Sequence, residues 1–138
     1  MKNLLFWIVY YLISGILLFS GINKIFEPQQ MLDSIKVLIN ISEDLQIIIA
    51  TLLPVIEITL GIMLLIKKNI EKTLTAVTIL FIFFFLISVY GNAIGLQKEC
   101  GCFGETFKSQ FGTGMIIRNA FFLLASVSLK KYYNKVPA

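Results

Sequence analysis

Cys100 and Cys102 are the two cysteines of this chain, one glycine apart in Cys100-Gly101-Cys102-Phe103-Gly104, and no histidine accompanies them. Two thiols so close make a thiol–disulfide couple or a clip for a soft metal. A disulfide across a single residue closes a small ring whose middle residue must accept unusual backbone angles, and glycine does so at least cost. Strain in such a ring makes the bond labile and oxidising. Lys98 favours the thiolate, while Glu99 and Glu105 oppose it. Three readings follow. The redox couple is preferred. A static staple is the second, although closing so short a loop removes little chain entropy. The third is Cu(I) held by both sulfurs, because zinc would need ligands from elsewhere. No metal-ligand set is assigned.

The second group of chemistry-bearing residues lies inside apolar segments. Glu57 sits about halfway along one such run, where a lone charge is costly and is usually paired or functional. Arg118 is its nearest partner by depth. Asn23, Lys24, Asn92 and Asn119 fall near the same level, so Asn23, Lys24, Glu57, Asn92, Arg118 and Asn119 are expected to form one polar cluster. Two uses are open. Glu57, Arg118 and Asn92 would line a proton path or bind the headgroup of a membrane quinone beneath the thiols. Alternatively, the cluster is interhelical glue, an ion pair with hydrogen bonds. Pro54, one turn before Glu57, loosens its helix and frees a carbonyl toward the same place.

The elements that position these residues are membrane spans. Hydrophobic residues make up 57% of the chain and charged ones 14%, a balance foreign to soluble domains. Four apolar runs, at 4–22, 45–66, 74–96 and 114–130, can each cross roughly 30 Å of hydrocarbon as a helix, the fourth only if its Gly-rich entry joins the helix. The expected architecture is all-α: one integral membrane domain over 1–138, a four-helix bundle with the thiols in an outer loop at 97–113. The first run follows Lys2 but exceeds a signal-peptide core of about 7–15 residues, and Ser20-Gly21-Ile22 is a poor cleavage site. It is read as a retained span. The net charge of +4 asks for no nucleic acid, because the lysines sort by topology. Lys2, Lys67, Lys68, Lys72, Lys130, Lys131 and Lys135 fall on one side, and Lys24, Lys36, Lys98 and Lys108 on the other. The positive-inside bias puts both termini in the cytoplasm, in a cytoplasmic (inner) membrane protein. The Cys100 loop then faces outward, where disulfides persist.

After the first span, Met31, Ile35, Leu38 and Ile39 recur at helical spacing, which predicts a short amphipathic helix on the membrane surface. Ser42-Glu43-Asp44 reads as an N-cap and acidic first turn. Lys67 to Lys72 is a tight basic turn. Phe103, Phe107 and Phe111 are read as packing under the outer loop. Gly15, Gly21 and Gly61 are expected where helices approach closely. Trp7, Tyr10, Tyr11, Tyr132 and Tyr133 are read as interface anchors.

Taken together, FSGINKIFEP, PVIEITLGIMLL, CGCFG and Ile117-Arg118-Asn119 resemble the MauE branch of the DoxX-like membrane proteins, over nearly the whole chain. CGCFG in this setting is the most specific of these stretches. The resemblance implies a four-helix membrane protein that supports disulfide formation during maturation of an extracytoplasmic enzyme, as in methylamine utilisation. It also implies a thioredoxin-like partner or a cysteine-containing client. The arrangement is similar in outline to the DsbB and vitamin K epoxide reductase bundles, which pass electrons from thiols to quinone, but by architecture alone. Those proteins use a second cysteine pair. The first outer connection here contains none, which excludes a two-pair relay across the two loops. The expected function is therefore thiol–disulfide exchange at Cys100 and Cys102, with membrane quinone as the acceptor. A non-catalytic maturation scaffold and a copper handler are the competing classes.

Overall fold

A computed structural model of the chain describes residues 2–94 and 113–135. These residues form five helices: α1 (Lys2–Phe26), α2 (Pro28–Leu38), α3 (Glu43–Leu65), α4 (Ile70–Ala93) and α5 (Thr113–Lys135). Three are long and apolar enough to cross a membrane, over Asn3–Phe26, Glu43–Leu65 and Ile70–Ala93. In all three, apolar side chains surround the helix, the pattern of a helix solvated by other helices and by lipid. The outward faces bear this out, with Leu4, Ile8, Ile48, Leu52, Ile79 and Leu86 all exposed. The fifth helix has the length of a span but carries Arg118, Asn119 and a lysine-rich end.

Local chemistry sets the boundaries. The helix α1 runs on past the expected end at 22, and its last turn closes with the Glu27 amide donating to the Asn23 carbonyl at 2.9 Å. Pro28 then opens α2, where its missing N–H costs nothing. Ser42 stands at the N-cap of α3 with Glu43 and Asp44 in the first turn, although its hydroxyl makes no capping bond. The α3–α4 turn is a Schellman closure: the Lys68 amide donates to the Met63 carbonyl and the Lys67 amide to the Leu64 carbonyl. Lys67 occupies the left-handed position of that motif at φ 54°, and Asn69 follows at φ 48°.

The helix α1 packs chiefly on α3, and α4 on α5, with lighter α1–α5 and α3–α4 contacts joining the two pairs. The main core, built from Tyr10, Ile13, Leu17, Leu64, Leu74, Val77, Phe81 and Leu129, draws on all four of these helices. Tyr10 is a core residue and not an interface anchor: it is fully buried and its hydroxyl donates to the Leu64 carbonyl at 2.6 Å. That carbonyl lies in the last turn of α3, where it takes the Lys67 amide in place of the regular helical donor and has a second lone pair for the hydroxyl. Ser14 ties the same two helices by donating to the Gly61 carbonyl at 2.9 Å.

Of the three glycines expected at close approaches, two are there. A Cβ on Gly21 would meet Ile58 at 2.6 Å, and one on Gly61 would meet Leu18 at 2.8 Å. Gly15 is exposed, with nothing within 4 Å of such a Cβ. The short helix α2 is amphipathic as expected, but its apolar face is occupied: Met31 and Ile35 pack with Ala50 of α3 in a second small core. It covers the first turns of α3.

Candidate functional site: a buried polar cluster

Lys24 is in the last turn of α1, where a lysine would ordinarily extend toward water. Here it turns inward. Its Nζ lies 2.6 Å from Oε1 of Glu57 on α3, and the two side chains are 1% and 0% exposed. The ammonium also sits 4.5 Å from the ring centroid of Phe84 on α4, whose face attracts a cation. Ser20, one turn before Lys24 on the same face of α1, brings its hydroxyl to 3.4 and 3.5 Å from the two Glu57 oxygens. Gly21 makes this meeting possible. With hydrogen in place of a side chain, α1 settles against the Pro54 carbonyl and the Glu57 Cβ.

The α4–α5 side is built from neutral donors. Ser88, buried in α4, donates to the Phe84 carbonyl at 2.7 Å. Asn119 of α5, also buried, donates to the Ser88 hydroxyl and, at 3.3 Å, to the Phe84 carbonyl. Arg118 is half-buried beside it. Ser20, Glu57, Arg118 and Asn119 then face one small void, walled by Leu17, Phe81, Phe84 and Phe122. Its volume is about 20 Å³. That suffices for one water, which needs about 10–15 Å³ and two to four polar partners. It does not admit an aromatic ring.

Ser20, Ser88 and Asn119 lie five or six residues inside the ends of α1, α4 and α5, which is about 8 Å at about 1.5 Å per residue. The cluster thus sits about a turn and a half below the helix ends that bracket residues 95–112. Of the residues expected there, Lys24, Glu57, Arg118 and Asn119 come together. Asn92 does not. It is exposed at the end of α4, away from the void. Asn23 is half-buried and does not line it. The partner recorded for Glu57 is Lys24, where depth alone had suggested Arg118. Cys100 and Cys102 lie outside the described residues. Ser20, Phe84 and Ser88 are members that the sequence reading did not assign. Ser20 had a usable signal, since it precedes Lys24 by four and so shares its face.

Chemically, the site joins an acid, an amine and a guanidinium around one water-sized void in an otherwise apolar interior. Such groups can hold an ordered water and exchange protons with it, or can serve only to lock helices together. No curated protein and no solved structure matches the chain. The family described as methylamine utilisation protein MauE matches residues 1–130, nearly the whole length. With three long apolar helices and a charged pair buried between two of them, the chain belongs to the MauE family of membrane proteins.

Proposed function

We propose that α1, α3, α4 and α5 all span the membrane as one four-helix domain, and that the protein catalyses thiol–disulfide exchange through Cys100 and Cys102. In this reading both termini are cytoplasmic and the dithiol faces outward. A thioredoxin-like protein or another cysteine-bearing client supplies the thiols. One client thiolate attacks a sulfur of the Cys100–Cys102 disulfide, a mixed disulfide forms, and the other cysteine leaves as thiolate. The second client thiolate resolves the mixed disulfide. The client then carries a disulfide, and Cys100 and Cys102 carry two thiols. Two electrons and two protons must leave before the next turnover, and membrane quinone is the acceptor we propose.

The observation that carries this reading is the buried polar cluster set about 8 Å below the ends of α4 and α5, the two helices between which the dithiol lies in sequence. Acidic and basic side chains at that depth are costly and mark either a working site or an ion pair between helices, and we take the first. The void beside Glu57 takes a water and not a quinone ring. Glu57 and Arg118 are therefore assigned to proton handling and helix positioning, and no step is routed through a quinone at the cluster. The family's description suggests methylamine utilisation as the setting.

The test is the oxidation state of Cys100 and Cys102 in membranes, read by thiol alkylation with quinone replete and depleted. Disulfide with quinone and accumulated thiols without it are expected. A bond that never changes state, with function intact when both cysteines are serine, would make the protein a maturation scaffold instead. Thiols protected by Cu(I) and exposed by chelation would make it a copper handler.

A further inference from the structure

A second hollow lies on the lipid-facing side, along the light contact between α1 and α5. It is a groove of about 570 Å³ lined by Phe6 and Val9 of α1 and by Phe121, Ala125, Ser128 and Tyr132 of α5, among others. From Phe121 to Tyr132 it follows α5 for about 16 Å at about 1.5 Å per residue. That is half of a hydrocarbon core of roughly 30 Å, the depth of one leaflet. Its lining is almost wholly apolar until Tyr132, whose hydroxyl donates to Oδ1 of Asn3 at 2.6 Å and makes a polar mouth.

The mouth opens at the basic end of the molecule. Lys67, Lys68, Lys72, Lys130, Lys131 and Lys135 gather there, against Glu71 as the acidic residue among the described ones. The opposite end carries Glu27, Asp33, Glu43 and Asp44 with Lys36. Two of the lysines stand in line with the groove. At 100° per residue, Lys131 and Lys135 fall on the face of α5 that carries Leu124, Ser128 and Tyr132, and Lys130 falls opposite. Lys131 and Lys135 are exposed.

We propose that this groove holds an acyl chain of an anionic phospholipid whose phosphate is bound by Lys131 and Lys135. Length, apolarity and a cationic mouth match one lipid of the leaflet at that end. A helix from a partner would have no use for two lysines at the mouth. A zwitterionic lipid would satisfy the groove and leave the lysines without a net counter-charge. Each lysine near an anionic headgroup favours binding severalfold, so the pair should select phosphatidylglycerol over phosphatidylcholine by on the order of tenfold at low salt. The proposal rests on the reading of α5 as a membrane span.

One experiment separates the two. Trp7 is the single tryptophan, so a Trp7→Phe, Leu124→Trp protein carries one reporter in the groove wall. It is reconstituted in vesicles in which either phosphatidylglycerol or phosphatidylcholine has brominated chains, which quench tryptophan on contact. Stronger quenching by the brominated phosphatidylglycerol at equal mole fraction is expected. Lys131→Gln with Lys135→Gln should abolish the difference, and Lys67→Gln with Lys68→Gln, at the same end but off the groove, should leave it. Equal quenching by both lipids would overturn the lipid site and leave the span standing. So would equal loss of preference in the two lysine pairs, which would mean diffuse charge attraction. No quenching by either lipid would overturn the site together with the span.

Discussion

Lys24 and Glu57 meet at 2.6 Å across the α1–α3 interface, both removed from solvent, with Ser20 and Phe84 closing the sides. Neither charge is tolerable there alone. Removing one partner of a buried pair typically costs about 3–5 kcal/mol, whereas replacing both by apolar groups of similar size is often neutral. Glu57→Gln and Lys24→Met should therefore each lower stability by about 3–5 kcal/mol in detergent-denaturation titrations, and Lys24→Met with Glu57→Leu should recover most of it. A double variant as unstable as either single one would refute the pairing. The same double variant tests function. If it folds and still exchanges disulfides, the pair is glue. If it folds and is inactive, the polar groups handle protons.

The glycines make a ranked prediction. Gly21→Ala sets a methyl 2.6 Å from Ile58 and 3.0 Å from the Pro54 carbonyl, which as backbone cannot step aside. A loss of about 1–3 kcal/mol is expected, as for overpacked cores. Gly61→Ala meets Leu18 at 2.8 Å, a half-buried side chain that can rotate away, so its cost should be smaller. Gly15→Ala meets nothing within 4 Å and should gain about 0.5–1 kcal/mol from helix propensity. Thermal or detergent midpoints should order the variants Gly15→Ala, wild type, Gly61→Ala, Gly21→Ala from most to least stable. Any destabilisation by Gly15→Ala would contradict its open surroundings.

The depth of each residue in the fold could be read from the sequence, but its facing could not. Apolar runs of sufficient length announce spans, and Glu57 stands out in one of them whatever its neighbours. The run of α4 is apolar on every side, so no stripe marks which face looks inward. Ser88 is buried in the cluster, whereas Asn92, one turn on along the same face, already lies at the exposed end of the helix. Tyr10 was misjudged for the same reason: its depth suits an interface anchor, but its direction is toward α3. Lys24 misled at the end of α1, because a lysine there reads as the edge of the membrane until its partner on another helix is known. The amphipathic face of α2 was visible, and its true neighbour, Ala50, was not.

The α3–α4 turn poses a different question: why a lysine stands where glycine is favoured. Lys67 takes φ 54° at the left-handed position of the Schellman closure, a conformation that costs a side-chain-bearing residue roughly 1–2 kcal/mol. Its ammonium lies 4.3 Å from the ring centroid of Trp7 on α1, a contact of about 0.5–1 kcal/mol at an exposed site. The stack offsets much of the backbone cost and ties the turn to α1. Lys67→Gly should thus change stability by less than about 1 kcal/mol in the wild type, since it loses the stack while relieving the backbone. In a Trp7→Leu background there is no stack to lose, and Lys67→Gly should stabilise by about 1 kcal/mol or more. The cycle of four proteins, read by detergent-denaturation midpoints, should give a coupling of about 0.5–1 kcal/mol. An identical effect of Lys67→Gly in both backgrounds would mean that the ammonium and the ring are neighbours without being partners.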